Sequence, residues 1–417
     1  MALDSEPLRT TQLRAQSRIC TGFPIELAGK TPDESTLIRC EVSKSEGFYQ
    51  RESDVHPVIW PFARELLPLN VQRNGNMRHV AGKSALTALW LATWLVWACG
   101  APADRPERDM EYARWFSVLP DSAVVLRSPG GGADTLKGPF SRLVCMSSSY
   151  VGFLEAIGAD AAVVAVSGRD YLGNEAVRGA AVDVGYDAAL DYEAILRCRP
   201  DLFLTYAVSA VEPPYLAKLR ELGVRTVILN EHLESHPLAR AEYVKLFGAL
   251  TGRLPAADSV FAAVRDRYCA LVQPELRCKV LINIPYADIW YIPGGDNYMT
   301  RLVRDAGGEV LGAVPGRQES GTIGLEQAYA LAREADVWLN PGWCRTRSQL
   351  RSVHPLFPEF PVLEKSVWNN TLQETPGGGN RFWETGPVHP DWVLEDLVHI
   401  FSGDGSAPLH YYLPIGD

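Results

Sequence analysis

Two stretches of this chain follow one plan and limit what it can fold into. LDYEAILRCRPDLFLTYAV (190–208) reads as a short helix, a Pro-Asp corner and a strand. IGLEQAYALAREADVWLNPGW (323–343) reads as a short helix, an Ala-Asp corner and a strand. Glu193 and Glu326 hold matching places, and Asp201 and Asp336 each precede an apolar run rich in β-formers. A strand apolar along its whole length has no face for water, so it belongs inside a parallel sheet covered on both sides. A second parallel lies upstream of each: SRLVCMSSSYVGFLEAIGADAAVVAVSG (141–168) and RCKVLINIPYADIWYIPGGDNYMTRLVRDAGGEVLGA (277–313). Each opens on a strand and reaches a helix closed by glycine, the second through a longer aromatic loop. Strands alternating with helices in two halves predict an α/β fold of two lobes.

Between the halves, PLARAEYVKLFGALTGRLPAADSVFAAVRDRYCALVQPEL (237–276) is helical by period. Val260, Phe261, Val264, Tyr268 and Leu271 recur at three- and four-residue steps, Gly252 divides the segment, and Pro255 sits near the start of its second part. The expected organisation is an N-terminal lobe over 116–253, an interlobe helix over 254–276 that acts as a stiff joint, and a C-terminal lobe over 277–417. SPGGGADTLKG (128–138) reads as the turn of a β-hairpin.

Upstream, Met77–Lys83 is a short basic stretch, Ser84–Ala98 carries no charge, and Cys99-Gly100 follows. A basic n-region, an apolar h-region and a small residue before the cut make a secretory signal, expected over 77–98. The apolar run of about 15 residues is short of the roughly 20 that span a bilayer. A buried core helix and a retained signal anchor stay open as alternatives. Residues 1–76 show no periodic element, and Met77 stands where a start would, so 1–76 are expected to be a non-native, disordered upstream extension. Residues 99–115, with Pro102 and Pro106 among charges, are expected to form a flexible tether.

Net charge is −10, from 40 Lys+Arg against 50 Asp+Glu, which argues against a nucleic-acid partner. The sequence lacks GxSxG, GxxxxGK[ST] and CxxC, and neither an enzyme nor a bound cofactor is expected. NEHLESHP (230–237) places His232 and His236 four apart around Glu234, but H-x-E-x-H matches neither zinc-protease order and Pro237 disfavours helix at 236, so no metal site is expected. His354 and His389 show no ligand spacing. Cys145, Cys198, Cys269, Cys278 and Cys344 follow Cys99, an odd count for an oxidising compartment; a Cys269–Cys278 bridge is one option.

The segments VSGRDYL (166–172), VGYDAALDYEAILRCRPDLFLTY (184–206), ESHPLARAEYVKLFGALTG (234–252), PGGDNYMTRLVRDAGGE (293–309) and PGGGNRFWETGPVHPDWVLEDLVHIF (376–401) together resemble the substrate-binding proteins of ABC importers, of the class that carries ferric siderophores, haem or cobalamin. The likeness covers 140–413. It implies two Rossmann-like lobes joined by one long rigid helix, a ligand cleft between them, and only modest closure. With the Cys99 motif, which resembles a lipobox, it implies a lipid-anchored envelope protein that binds a metal chelate or corrinoid and serves ABC permease subunits. A free Zn²⁺ or Mn²⁺ carrier and a siderophore-processing hydrolase are the alternatives on the same fold.

In such sheets ligands meet the loops at the carboxyl ends of strands. Ser148, Ser149 and Tyr150 form the first; Ser149 is equally a helix cap. Arg169 and Tyr171 form the second, where Arg169 either forks onto an anion or pairs with Asp170 or Asp187. Tyr206 and His232 end two further strands. Tyr286 and Trp290, running into Asn297 and Tyr298, offer aromatic area for a large ligand, or else pack a hairpin. Trp343 follows Asn340-Pro341-Gly342. Asn380 and Trp383 follow three glycines, in a segment that is also a fold signature of the resembled class. That class docks its permease through one surface carboxylate per lobe; Glu212 fits the first lobe by position, and Glu309, with Glu326 as alternate, fits the second.

Overall fold

Buried parallel strands organise the chain. The computed structural model describes residues 110–207, 212–273, 275–276, 278–404 and 407–417. The expected extension (1–76), signal (77–98), Cys99 and the start of the tether lie outside the described residues.

The first lobe begins with an antiparallel sheet of β1 (Phe116–Val118), β2 (Val124–Arg127) and β3 (Ala133–Leu136); β2 and β3 form the hairpin expected around the Gly-rich turn. There follow β4 (Leu143–Cys145), α1 (Ser148–Ala156), β5 (Val163–Val166), α2 (Glu175–Ala180), β6 (Val182–Asp183), α3 (Tyr192–Cys198), β7 (Leu202–Thr205), α4 (Pro214–Glu221) and β8 (Thr226–Ile228). The sheet runs β6-β5-β4-β7-β8, all parallel. Its central strands β4 and β7 are buried at every residue, as apolar runs covered by helices must be.

Two helices lead out. α5 (Pro237–Thr251) is capped by His236, whose Nδ1 accepts from the Leu238 N–H, and stops at Gly252 in the left-handed region. α6 (Leu254–Leu271) returns along it, burying Ala257, Phe261, Val264 and Tyr268. At 18 residues, α6 spans roughly 27 Å and carries the chain into the second lobe. It stops short of 276 because Pro274 disfavours helix in the residue before it.

The second lobe contains β9 (Cys278–Ile282), the hairpin β10 (Pro285–Tyr286) and β11 (Ile289–Ile292), α7 (Tyr298–Asp305), β12 (Gly308–Val310), β13 (Gly321–Gly324), α8 (Leu325–Glu334), β14 (Val337–Leu339), α9 (Arg347–Val353), β15 (Ser366–Asn369), α10 (Arg381–Glu384), α11 (Pro390–Ser402) and β16 (Leu413–Pro414). The main sheet is β12-β9-β14-β15-β16, parallel except for the edge strand β16, and a small sheet β10-β11-β13 covers one side. The halves are therefore not twins. The first lobe places two strands before its order reverses and the second places one, because the stretch after β9 became a hairpin.

Two features go beyond the expected bridge. The segment 111–115 is not a free tether. The backbone N–H groups of Glu111, Tyr112 and Ala113 donate to the Glu242 carboxylate, and those of Arg114 and Trp115 to Glu234, both carboxylates being buried. Lys245 balances Glu242 at 2.8 Å. The second lobe also sends α10 back onto α1. A Cβ on Gly152 would lie 1.9 Å from the Glu384 carbonyl oxygen, and one on Gly379 would lie 1.7 Å from that of Tyr171. The backbones meet because neither glycine has a side chain.

All five cysteines among the described residues are free. Cys269 is exposed on α6 while Cys278 is buried at the head of β9, so the optional bridge is absent. No described helix is long and apolar enough to cross a membrane.

Candidate functional site

The strand orders choose the loops. In the first sheet the order reverses between β4 and β7, and in the second between β9 and β14. Ligands in open α/β sheets bind outside such switch points. The loops there are Ser147–Ser149 and Tyr206 on one lobe, and Asn283 and Asn340–Trp343 on the other.

The Glu231 carboxylate gathers the first lobe's polar groups. Glu231 lies just beyond β8, in a 3-10 turn over 231–233, and is buried. Its Oε1 accepts from Ser149 Oγ at 3.2 Å, and its Oε2 accepts from Arg240 Nε at 3.0 Å and pairs with Nη2 at 2.9 Å. The Arg240 guanidinium sits 4.2 Å over the ring of Tyr298, the first residue of α7. One cation thus joins α5, a first-lobe carboxylate and a second-lobe aromatic. A buried pair of this kind demands both partners, because either charge alone would be desolvated without compensation. Ser147 Oγ and Ser149 Oγ are 2.8 Å apart and complete the cluster.

His232 adjoins it. Its Nε2 lies 3.1 Å from the Ala207 carbonyl, which can only accept, so Nε2 carries the proton and Nδ1 a lone pair. Nδ1 is buried with no partner within the described residues. Burial holds the imidazole below its ordinary pKa, so the ring is neutral at pH 7. Tyr206 meets the His232 ring edge-on at 6.2 Å, and its hydroxyl is raised by burial, then by Asp187 and Glu231.

Beside the Arg240–Tyr298 stack opens a small recess lined by Leu302, Phe382, Trp383 and Pro387. Apart from Arg240 and Tyr298 its walls are apolar. The recess thus sets apolar and aromatic area beside the buried Arg240–Glu231 pair.

Of the residues expected from sequence, Ser149, Tyr206, His232 and Tyr298 join this cluster, and Trp383 lines the pocket. Ser148 opens α1 half-buried, and Trp343 is half-buried after β14. Tyr150 is not on the surface: it is fully buried, donates to the Thr205 carbonyl at 3.1 Å and packs on Phe247. Trp290 is also core. Its Nε1 donates to Ile282 O at 2.8 Å, and its ring stacks near Phe360 and Trp338, because β11 turns alternate residues inward. Tyr286, at the hairpin's turn, is exposed. Asn297 and Asn380 cap α7 and α10, and each spends its remaining amide on a carbonyl, that of Gln318 and of Asn370. Arg169 lies 3.6 Å from Asp170, and Tyr171 abuts Gly379, so both sit at the lobe–lobe contact around α10.

Of the docking carboxylates, Glu212 stands just before α4 and Glu326 in the first turn of α8. Both helices feed parallel strands, so their N-termini share the strands' carboxyl end with the cleft. Glu212 is held below the usual carboxylate range by its hydrogen bond to Arg220. Glu309 does not fit: it pairs in register with Lys279 near the entry end of the second sheet, away from the cleft. Arg240 went unrecognised in the sequence; its signal is a run of charges, Arg240, Glu242 and Lys245, inside a helix otherwise apolar on every face. No described group of three or more His, Cys, Asp or Glu is placed to hold a metal ion.

The chain matches the periplasmic binding protein family over residues 143–355. It is 25% identical over 306 residues to an uncharacterized lipoprotein of Methanocaldococcus jannaschii, covering 68% of this chain and 71% of that one. Among solved structures, it is similar to a periplasmic haem-binding protein from Pseudomonas aeruginosa (TM-score 0.51, 18% identity, 67% of this chain and 99% of that chain). Another is a periplasmic haem-binding protein of Vibrio cholerae (TM-score 0.48, 18% identity, 61% and 98%). With two α/β lobes facing a cleft and more than half of its length matched, the chain belongs to the periplasmic binding protein family.

Proposed function

We propose that this protein is the substrate-binding component of an ABC importer, capturing an iron chelate or a corrinoid in the cell envelope and delivering it to the permease. The single observation that carries this reading is the composition of this cluster: a neutral imidazole whose Nδ1 has no partner among the described residues, the Arg240 guanidinium stacked on Tyr298, and apolar walls beside them. A bound chelate would lay its flat area against Tyr298 and Trp383 and a polar edge toward the Arg240–Glu231 pair, with the His232 ring adjoining that pair. Glu212 and Glu326 are the proposed permease contacts, one per lobe, acting on orientation and association rate. Cys99 is the proposed acylated anchor. The chain is read as a carrier and not an enzyme, so the ligand should leave chemically unchanged.

Titration with haemin, a ferric hydroxamate and cobalamin, followed by tryptophan quenching, tests this. One of the three should bind with micromolar or tighter affinity, about −8 kcal/mol or better. His232→Ala should weaken it at least about 10-fold, some 1.4 kcal/mol. Failure of all three to bind, or hydrolysis of the bound chelate, would overturn the reading.

A further inference from the structure

We propose that the cleft is hinged along one edge and latched along the other, so that it opens at the edge where Gln318 reaches across. The strand orders identify the edges. The first sheet runs from β6 to β8 and the second from β12 to β16. The loop after β5 meets the segment after β15, while the turn after β8 meets the loop after β12. These are opposite ends of both sheets.

At the first edge the lobes are joined closely. Arg381 Nη2 lies 2.8 Å from Glu155 Oε1, across the lobes. The Glu384 carboxylate, 1% exposed, accepts the N–H of Gly173 at 2.6 Å and of Asn174 at 2.9 Å. Gly377 and Gly379 bring their backbone onto the carbonyls of Asp170 and Tyr171, where a Cβ would stand 2.0 and 1.7 Å away. Opening this edge would strand a buried carboxylate and part a tightly fitted backbone seam.

At the second edge the lobes meet through the Arg240–Tyr298 stack and one neutral hydrogen bond, in which Gln318 Nε2 donates to the Leu233 carbonyl. Gln318 belongs to the loop between β12 and β13, which is itself fixed. Val314 and Arg317 carbonyls accept from Gly295 and Asp296, and Asn297 Nδ2 donates to the Gln318 carbonyl at 3.2 Å. The loop is thus a stiff arm with one side-chain amide reaching across. Leu233 lies one residue beyond His232 and two beyond Glu231, so releasing the latch frees the turn that carries the cleft's polar groups. A neutral hydrogen bond exchanges with water at small net cost, and Arg240 keeps its Glu231 partner when the stack parts, whereas the opposite edge shares a buried carboxylate between the lobes. Motion about a fixed edge follows from that asymmetry. The consequence for ligand entry rests on the cleft reading above; the mechanical claim does not.

The test uses no ligand, so its failure is distinct from a failure to find one. Spin labels are placed across the latch on Ser235→Cys and Glu319→Cys, and in a second sample across the seam on Glu175→Cys and Leu372→Cys, both with exposed Cys269→Ser. Pulsed distance measurements then compare each pair with and without Gln318→Ala. The latch-side distribution should broaden about two-fold and shift longer, while the seam-side distribution keeps its width. Gln318→Glu, which sets a carboxylate against the Leu233 carbonyl, should do the same and guards against a fault of one variant. Unchanged latch-side widths in both variants, or equal broadening at both edges, would overturn the proposal.

Discussion

Arg240→Met is the sharpest perturbation of the cleft. Methionine keeps most of the arginine stem but leaves the Glu231 carboxylate, buried, with the Ser149 hydroxyl as its remaining donor among the described residues. Removing one partner of a buried ion pair costs about 3–5 kcal/mol, and loss of the cation over Tyr298 adds about 0.5–2 kcal/mol. About 3 kcal/mol at pH 7 is the working figure. Adding Glu231→Leu removes the stranded charge and should return most of the loss, giving a coupling of about 2–3 kcal/mol in a double-mutant cycle. Urea unfolding of wild type, both single variants and the double variant at pH 7 provides the four corners. Additive losses, or an Arg240→Met penalty below about 1 kcal/mol, would refute a mutually dependent buried pair.

Three further outcomes follow from named contacts. Gly152→Ala sits in α1, where alanine gains about 1 kcal/mol of helix propensity, yet its Cβ would lie 1.9 Å from the Glu384 carbonyl oxygen; net destabilisation of about 1–3 kcal/mol in thermal melts is expected, and a stabilised variant would deny the seam. His236 is held below its usual pKa by burial and then by Arg301, and caps α5 through a neutral Nδ1. The unfolded ring protonates first as pH falls, so stability is full above about 6.5 and declines below it; His236→Asn, which keeps an acceptor without titrating, should show a smaller melting-temperature change between pH 7 and 5. Trp290→Ala should cost about 3–5 kcal/mol as a core truncation, and its loss of stability should exceed that of Trp383→Ala, measured by denaturant midpoint.

What could be read from sequence divides by range. The strands LVC, LFLT and VWL announced themselves because both faces are buried, so each run is apolar but for Thr205, whose hydroxyl meets that of Tyr215. The loops after them followed from strand direction alone, which is why Ser149, Tyr206 and His232 were found together. Trp290 misled for a local reason: one aromatic run alternates between core and surface in a hairpin, and only the pairing Trp290↔Ile323 and Pro285↔Trp290 reveals which side each residue takes. Asn297 and Asn380 misled because capping and ligand contact draw on the same residue types. Arg240 was missed because its partner, Glu231, lies across a loop and its aromatic, Tyr298, lies in the other lobe. Contacts of that separation leave no periodic trace.

The charges on α5 explain why the interlobe joint is stiff, and the reason differs from a long helix alone. α5 buries fourteen of its fifteen residues, including Arg240, Glu242 and Lys245. A helix enclosed on all sides tolerates charge only where fixed groups answer each one. Arg240 is answered by Glu231 and Tyr298, so it ties the first lobe to α7 of the second. Glu242 is answered by Lys245 and by the N–H groups of Glu111, Tyr112 and Ala113, so it ties down the incoming chain. At its start, His236 packs 6.1 Å from Tyr268 of α6, whose hydroxyl donates to Asp305 of α7 at 2.7 Å. Bending the joint at α6 would disturb these contacts together. The rigid element between the lobes is therefore the α5–α6 pair with its matched charges, and motion is left to the edge where the lobes share no carboxylate among the described contacts and meet through Gln318 and the Arg240–Tyr298 stack.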